Sequence, residues 1–222
     1  MSKLEWDKIG EREYETGVEQ AAIYPMTAEG AYGNGAAWNG LTAVTESPSG
    51  AEPTALYAND KKYLELMSAE EFGGTIEAYM YPDEFAECNG EKEVVKGVRV
   101  SQQSRKPFGL VYKTLIGNDT VGTKFGYKLN IVYNARVTPS EKANNTVNDS
   151  PEAATLSWEF STTPVSVTGC DPTSHLIINS TDVDPEKLAA LEAALYGSAD
   201  TEPKLLLPDE VIDMIKTDVV AG

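Results

Sequence analysis

The chain has 222 residues, which is enough for one β-rich domain with a sizeable core. Hydrophobic residues make up 41% and charged residues 24%, as in a globular rather than a disordered chain. A formal net charge of −17 argues against nucleic-acid binding, which needs clustered lysine and arginine, and it disfavours docking to an anionic membrane. The first residues lack the apolar stretch of a signal peptide, so we expect an unsecreted chain without a membrane span.

Period-two alternation of apolar and polar residues predicts several short strands along the chain. In chain order, these predicted strands are Gly17–Pro25, Ala36–Val44, Thr75–Tyr81, Val95–Ser101, Gly109–Gly117, Gly126–Val137, Ala154–Thr162 and Ser174–Ser180. Clusters of Gly, Asn, Asp and Pro separate them. The predicted fold class is therefore mainly β, an antiparallel β-sandwich or barrel with a flanking α-helix.

The strand Gly126–Val137 has the most regular alternation. Its apolar residues are predicted to share one face: Tyr127, Leu129, Ile131, Tyr133, Ala135 and Val137. A polar face is predicted on the other side of this strand and on the next: Lys128, Asn130, Asn134, Arg136, Thr155, Ser157, Glu159 and Ser161. This face is interpreted as a solvated outer surface or as the wetted lining of a channel.

Helices are predicted only near the C-terminus. Asp184 can cap a helix whose first residue is Pro185, and Gly197 can end it. A second helix is predicted in the segment from residue 208 to 219, with Val211, Ile212, Ile215 and Val219 on one face; it is either a mobile arm or a docked tail. One turn of helix is predicted within Tyr81–Cys88.

Three regions are predicted from these patterns. Residues 1–13 form an N-terminal arm, residues 14–197 form the β domain, and residues 198–222 form a C-terminal segment with a short helix. The stretch Gly33–Leu66 is rich in Gly, Ser, Pro, Asn and Asp, and within the β domain about residues 45–72 are predicted to be a long loop.

Candidate catalytic groups are few. His175 is the single histidine, and Cys88 and Cys170 are predicted to be free thiols without metal-binding spacing. Adjacent carboxylates are expected by chance among 35 acidic residues and are interpreted as solvated surface. We therefore predict no catalytic, cofactor or metal site, and no enzyme activity.

Several stretches together resemble the major tail protein (tail tube protein) family of long-tailed bacteriophages of Gram-positive hosts. The stretches are Trp6–Val18, Tyr32–Leu66, Ser68–Cys88, Gln102–Thr123, Gly126–Ala153 and Leu156–Val165, in that order. The likeness runs from about Trp6 to Tyr196, and it depends on the order and spacing of the stretches rather than on one motif.

The resemblance implies a structural virion protein that assembles into hexameric rings stacked as a tube. It implies partnership with a tape-measure protein, with tail terminator and with baseplate or tip proteins, and passage of DNA without sequence-specific binding. The implied location is the phage tail, after assembly in the host cytoplasm. An acidic lumen would keep DNA from adsorbing to the wall during ejection.

Candidate contacts between copies are apolar residues in the two irregular regions. In the N-terminal arm they are Leu4 and Trp6, and in the predicted loop they are Leu56, Tyr57, Tyr63 and Leu64. Loop-rich sequence can order on assembly, when its entropy cost is offset by contact.

Three alternatives remain open from the sequence. One is a monomeric β-sandwich that binds a carbohydrate or receptor, with Trp38 or Trp158 exposed as a sugar-stacking platform. Trp158 is predicted to lie in the core, and Trp6 and Trp38 are unassigned. The others are a tube protein of a related secretion or injection machine, and an acidic hydrolase.

Overall fold

The structure is a computed structural model that describes residues 3–146 and 153–216. It contains sixteen strands, a 3₁₀ turn at Asp83–Phe85 and two α-helices, α1 (Pro185–Tyr196) and α2 (Pro208–Ile215). The strands are β1 Glu13–Pro25, β2 Ala36–Ala37, β3 Leu41–Glu46, β4 Ser49–Gly50, β5 Pro53–Ala58, β6 Lys61–Met67, β7 Glu70–Glu71, β8 Gly73–Ala78, β9 Lys92–Val95, β10 Val98–Val100, β11 Phe108–Asn118, β12 Gly122–Val137, β13 Leu156–Thr162, β14 Val165–Val167, β15 Cys170–Thr173 and β16 His175–Asn179.

Eight strands form one antiparallel sheet in the order β2-β1-β11-β12-β13-β8-β3, with β16 pairing beside β13 along the same edge of β12. Strands from the two halves of this sheet contribute to one buried cluster, so the sheet folds back on itself. The predicted mainly-β class, a sandwich with a flanking helix, is confirmed.

Two hydrophobic cores lie on opposite faces of β1, β11 and β12. The inner core is closed by β8, β13 and the 3₁₀ turn, and aromatic rings fill it: Trp38, Phe85, Phe108, Trp158 and Phe160. The outer core lies under the helices, where Leu188, Leu191 and Leu195 of α1 pack on the sheet. Alternate residues of the shared strands serve the two cores, as the period of a strand requires.

A bulge in β12 reverses the two faces of this strand. Phe108 is paired with Ala135 and Leu110 with Val132, so Tyr133 and Asn134 together oppose one residue of β11. Asn134 has a φ of 49°. Leu129, Ile131 and Tyr133 consequently belong to the outer core, whereas Val132, Ala135 and Val137 belong to the inner one. The prediction that Tyr127 through Val137 share one apolar face is wrong for this reason.

Helix α1 begins and ends as predicted. The Asp184 carboxylate accepts hydrogen bonds from the backbone N–H of Glu186 (2.9 Å) and Lys187 (3.2 Å). Tyr24 of β1 donates its hydroxyl proton to the Leu195 carbonyl at 2.5 Å, which fixes the last turn of α1 on the sheet.

Helix α2 is a docked tail, because Val211 is buried in the outer core together with Leu205 and Leu206 just before it. Tyr133 donates a hydrogen bond to the Leu206 carbonyl at 3.0 Å. Val219, which was predicted to belong to this helix, lies outside the described residues.

Two predicted strands are each divided by a tight turn. Asn39 and Gly40 separate β2 from β3, and Lys96 and Gly97 separate β9 from β10. Gly40 has a φ of 78° and Gly97 a φ of 81°, a region in which a strand does not continue. The predicted strands Ala36–Val44 and Val95–Ser101 are therefore corrected to strand–turn–strand units.

Candidate assembly surfaces

The stretch predicted as a long loop is instead a ribbon of paired strands. β5 pairs with β6, and β4 pairs with β7 nearer the sheet, so residues 47–72 form an arm between β3 and β8. Asn59 (φ 50°) and Asp60 (φ 59°) make the two-residue turn of the hairpin, since Ala58 is paired with Lys61. Asn and Asp with a left-handed backbone conformation are favoured in two-residue hairpin turns. The high polar content of this stretch obscured the sequence pattern of a hairpin.

One face of the arm carries leucines. Leu56 lies directly opposite Leu64, and Thr54 lies opposite Leu66, so these side chains share a face. Tyr57 and Tyr63 are each 72% exposed, and Leu56 and Leu64 are also exposed. The four contact candidates predicted in this region thus come together on one projecting ribbon. Since β5 and β6 pair only with each other in the described structure, the arm has two free edges.

The N-terminal arm is a different segment from the arm at residues 47–72. Residues 3–12 have no strand or helix, and Leu4 and Trp6 are largely exposed, with Trp6 at 76%. The segment is tethered at the β11–β12 turn, where the Gly10 N–H donates to Asp119 Oδ1 at 2.9 Å. Arg12 lies 3.8 Å from the same carboxylate. Leu4 and Trp6 are therefore exposed apolar residues on a segment that is separate from the arm at residues 47–72.

The predicted polar face is divided by the bulge in β12. Arg136, Glu159 and Ser161 are exposed, Ser157 is half-buried, and Arg136 is paired in register with Ser161. Thr155 is exposed just before β13. Together with Thr75 and Glu77 of β8, the residues of β13 form a polar outer face on which Glu159 lies opposite Thr75.

Three predicted members of that face lie apart from it. Lys128 and Asn130 precede the bulge and point to the inner side of the sheet, where Lys128 forms an ion pair with Glu15. Asn130 is buried, and the half-buried Asn134 occupies the bulge. The single polar face predicted from alternation is corrected accordingly.

Asn130 belongs to a polar group inside the sheet. Its amide oxygen lies 3.3 Å from His175 Nε2, and its amide nitrogen lies 3.4 Å from the Thr114 hydroxyl. The His175 ring stacks on Phe72 with 4.5 Å between ring centres. Burial lowers the pKa of His175, with an opposing effect from Glu46. The group has the character of a satisfied interior histidine rather than of a catalytic arrangement.

An open edge borders a cleft of about 660 Å³ between β1 and the start of β3. Residues 13–20 of β1 pair with β11 on one side and, within the described chain, with no strand on the other. Two register irregularities, at Thr16/Glu19 and Glu19/Ala22, interrupt this edge, and Gln20 has a φ of 50°. An unpaired strand edge exposes backbone N–H and C=O groups with which another chain can pair, and the two irregularities restrict such pairing to the regular parts of this edge.

Other site types find little support in residues 3–146 and 153–216. No group of three or more His, Cys, Asp and Glu side chains there is arranged to hold a metal ion. None of the helices in these ranges has the length and apolar content needed to cross a bilayer. Trp38 and Trp158 are buried, so the sugar platform that required either of them in water is not formed.

Comparison with known proteins gives limited information. The chain matches no protein-family model, and it matches no curated protein. Among solved structures it is similar to a chain in the cryo-EM structure of the PVC sheath–tube complex of an extracellular contractile injection system, in its extended state. The identity is 11% over 72% of this chain and 88% of that chain, with a TM-score of 0.30.

Proposed function

We propose that this chain is a structural subunit of the tail-tube type that assembles with copies of itself, and that it is not an enzyme. The observation that carries the proposal is the arm at residues 47–72, which presents leucine and tyrosine side chains to solvent on a two-stranded ribbon. A lone two-stranded ribbon is at best marginally stable in water. Exposed apolar groups on such a ribbon are best explained by a protein surface that covers them.

Covering the arm contributes favourably to the free energy of assembly. Complete burial of a leucine-sized side chain is worth about 1.5–3 kcal/mol. Leu56, Leu64 and Leu66 are 41%, 38% and 54% exposed, so covering the leucine face offers about 2–4 kcal/mol per contact, before the cost of association is subtracted. Repetition of the contact around a ring and along a tube multiplies this gain.

The open edge of β1 supplies a second kind of contact. An unpaired strand edge is a template for a neighbouring chain, and a soluble subunit must cover or pair it. A contact between two different surfaces of the same subunit closes into a ring or extends into a filament, according to its rotation. A stacked tube needs one contact that closes a ring and another that extends along the axis. The arm and the β1 edge are two distinct surfaces that can supply these two contacts.

The finer features of the proposal follow the sequence resemblance. They are hexameric rings stacked around a tape-measure protein, contacts with terminator and baseplate or tip proteins, and passage of DNA through the lumen. The proposed location is the virion tail, with assembly in the host cytoplasm. The net charge of −17 supports a wall that repels DNA, and a net-basic lumen would contradict that part.

Assembly of the purified chain tests the proposal. We expect rings or tubes in electron micrographs, and a concentration-dependent increase in sedimentation coefficient. The double variant Leu56→Asp, Leu64→Asp places two charges on the leucine face and is expected to raise the concentration needed for assembly by tenfold or more. Its unfolding midpoint should match that of the wild type, because both side chains are exposed in the subunit.

A matched control is the double variant Val121→Asp, Ile177→Asp, which adds the same charge at exposed aliphatic positions outside the arm. It is expected to assemble as the wild type does. Wild-type protein that stays monomeric at high concentration, alone and with the other tail proteins, would overturn the proposed function. Equal effects of the two double variants would show that the arm is not an assembly surface.

A further inference from the structure

A second hairpin projects from the chain and also exposes apolar residues. β9 and β10 pair only with each other in the described structure, and Val95 lies opposite Val98 across the turn. All the valines of this hairpin are exposed: Val94, Val95, Val98 and Val100. Proposed assembly through the arm does not account for this second surface.

The two faces of this hairpin have different surroundings. Arg99 is bonded to Asp83 at 2.5 Å and lies 3.8 Å from Glu91, so its face is turned toward the domain. Val98 and Val100 flank Arg99 on β10, and side chains alternate along a strand, so they lie on the opposite face. The valine face is therefore directed away from the residues that tether the hairpin.

Charge distinguishes this segment from the rest of the chain. The hairpin, residues 92–100, contains three cations and one glutamate, a net charge of +2 in a chain of −17. Lys92 and Lys96 have no ion-pair partner among the described residues. The arm, residues 47–72, has five carboxylates and two lysines, a net charge of −3. The two projecting hairpins are thus oppositely charged, and each has an aliphatic face.

The bases of the two hairpins lie at opposite ends of β8. The arm leads into Gly73, which is paired with Ser161. The other end of β8, Ala78, is paired with Leu156 and is followed by Tyr81, whose hydroxyl donates to Glu91 at the base of β9. At about 3.3 Å per residue, β8 separates the two bases by roughly 16 Å. Contact between the hairpins is accordingly favoured between copies in a head-to-tail arrangement.

We propose that the leucine face of the arm of one copy docks on the valine face of the β9–β10 hairpin of the next copy, with Lys92 and Lys96 against the acidic arm. This inference rests on the proposed self-assembly and names the partner surface of the arm. Aliphatic contact supplies the affinity, and opposite charge selects the orientation and disfavours arm-to-arm pairing.

Charge reversal and its reciprocal test the pairing. The variant Lys92→Glu, Lys96→Glu is expected to raise the critical concentration for assembly by tenfold or more at low salt, and by less at about 0.5 M salt because of screening. Adding Glu52→Lys and Glu70→Lys to the same chain also reverses the charge of the arm, so the two surfaces again carry opposite charges. This four-residue variant is expected to restore assembly. Circular dichroism and unfolding midpoints should remain unchanged throughout.

The control variant Lys124→Glu, Lys142→Glu makes the same change in net charge at exposed lysines outside both hairpins. It is expected to assemble nearly as the wild type does. If the wild type assembles and the hairpin variant behaves like this control, the inference is overturned while the proposed function stands. If the Lys92→Glu, Lys96→Glu variant loses assembly and the four-residue variant does not regain it, the hairpin contacts a surface other than the arm. A wild type that never assembles would count against the proposed function itself.

Discussion

The Lys113 ammonium of β11 lies 2.8 Å from Glu192 Oε1 of α1, and the Lys113 side chain is only 8% exposed. The hydroxyl of Tyr127 donates to the same carboxylate oxygen at 2.6 Å. The Lys113 nitrogen also lies 4.3 Å from the centre of the Tyr127 ring. A charged network therefore joins the helix layer to the sheet.

Removal of one partner of this pair is predicted to be more harmful than removal of both. Glu192→Leu leaves a buried ammonium unpaired and is expected to lower the free energy of unfolding by about 2–4 kcal/mol. The double variant Lys113→Met, Glu192→Leu removes both charges and is expected to regain most of that loss. Urea unfolding measures both.

The exposed pair Lys8–Glu5 provides the comparison, since Glu5→Gln is expected to cost no more than about 1 kcal/mol. A double variant as unstable as Glu192→Leu would show that packing, and not the unpaired charge, accounts for the loss.

The left-handed backbone of Asn134 gives a second prediction. Asn134→Val forces a β-branched residue into φ 49° and is expected to destabilise the fold by about 1–2 kcal/mol. Asn134→Gly is expected to be tolerated within a few tenths of a kcal/mol, because glycine adopts this region freely. Thermal unfolding of both variants checks the difference, and equal midpoints would mean that the bulge does not depend on this conformation.

Acid is predicted to destabilise the fold partly through His175. Because burial lowers the pKa of His175 below its usual 6.5, the unfolded chain takes up this proton first as the pH falls. The contribution to stability is therefore complete above about pH 6.5 and is lost between that pH and the lower folded pKa. Urea unfolding at about pH 7.5 and about pH 5.5 should show a smaller pH effect in His175→Gln than in the wild type. Parallel curves for the two proteins would exclude this residue as the source.

The two thiols are predicted to differ in reactivity. Cys170 is exposed, whereas Cys88 is buried, and burial raises the pKa of the Cys88 thiol to about 12. A thiol reagent should label one cysteine per native chain at once and both cysteines after denaturation. Cys170→Ser should abolish the fast reaction, and rapid labelling of that variant would mean that Cys88 is accessible in the native state.

Elements with local signals were predictable from the sequence. Helix α1 has its cap, its proline and its terminal glycine within one segment, and β16 follows its alternating pattern almost to the residue. Trp158 was placed in the core because it lies in an apolar row, and it is buried there. Alternation failed in β12 because the inserted residue at the bulge is set by pairing with β11, a relationship over long range.

The candidate surfaces were only partly predictable. Leu56 and Leu64 were singled out as apolar residues in a polar stretch, but their cross-strand pairing depends on the turn at Asn59 and Asp60. The role proposed for Lys92 and Lys96 was not predicted, because it depends on the position of the hairpin at the far end of β8. The signal that could have found it was the net positive charge of residues 92–106 in an acidic chain.

The arm leaves β3 and returns directly into β8, and these two strands are hydrogen-bonded neighbours in the sheet. Because β3 and β8 pair with each other directly at the base of the arm, the ribbon can gain or lose residue pairs without a change in the register of β3 and β8. The length of the ribbon is therefore independent of the stability of the domain. In the proposed assembly, the length of the ribbon would set the distance between successive copies.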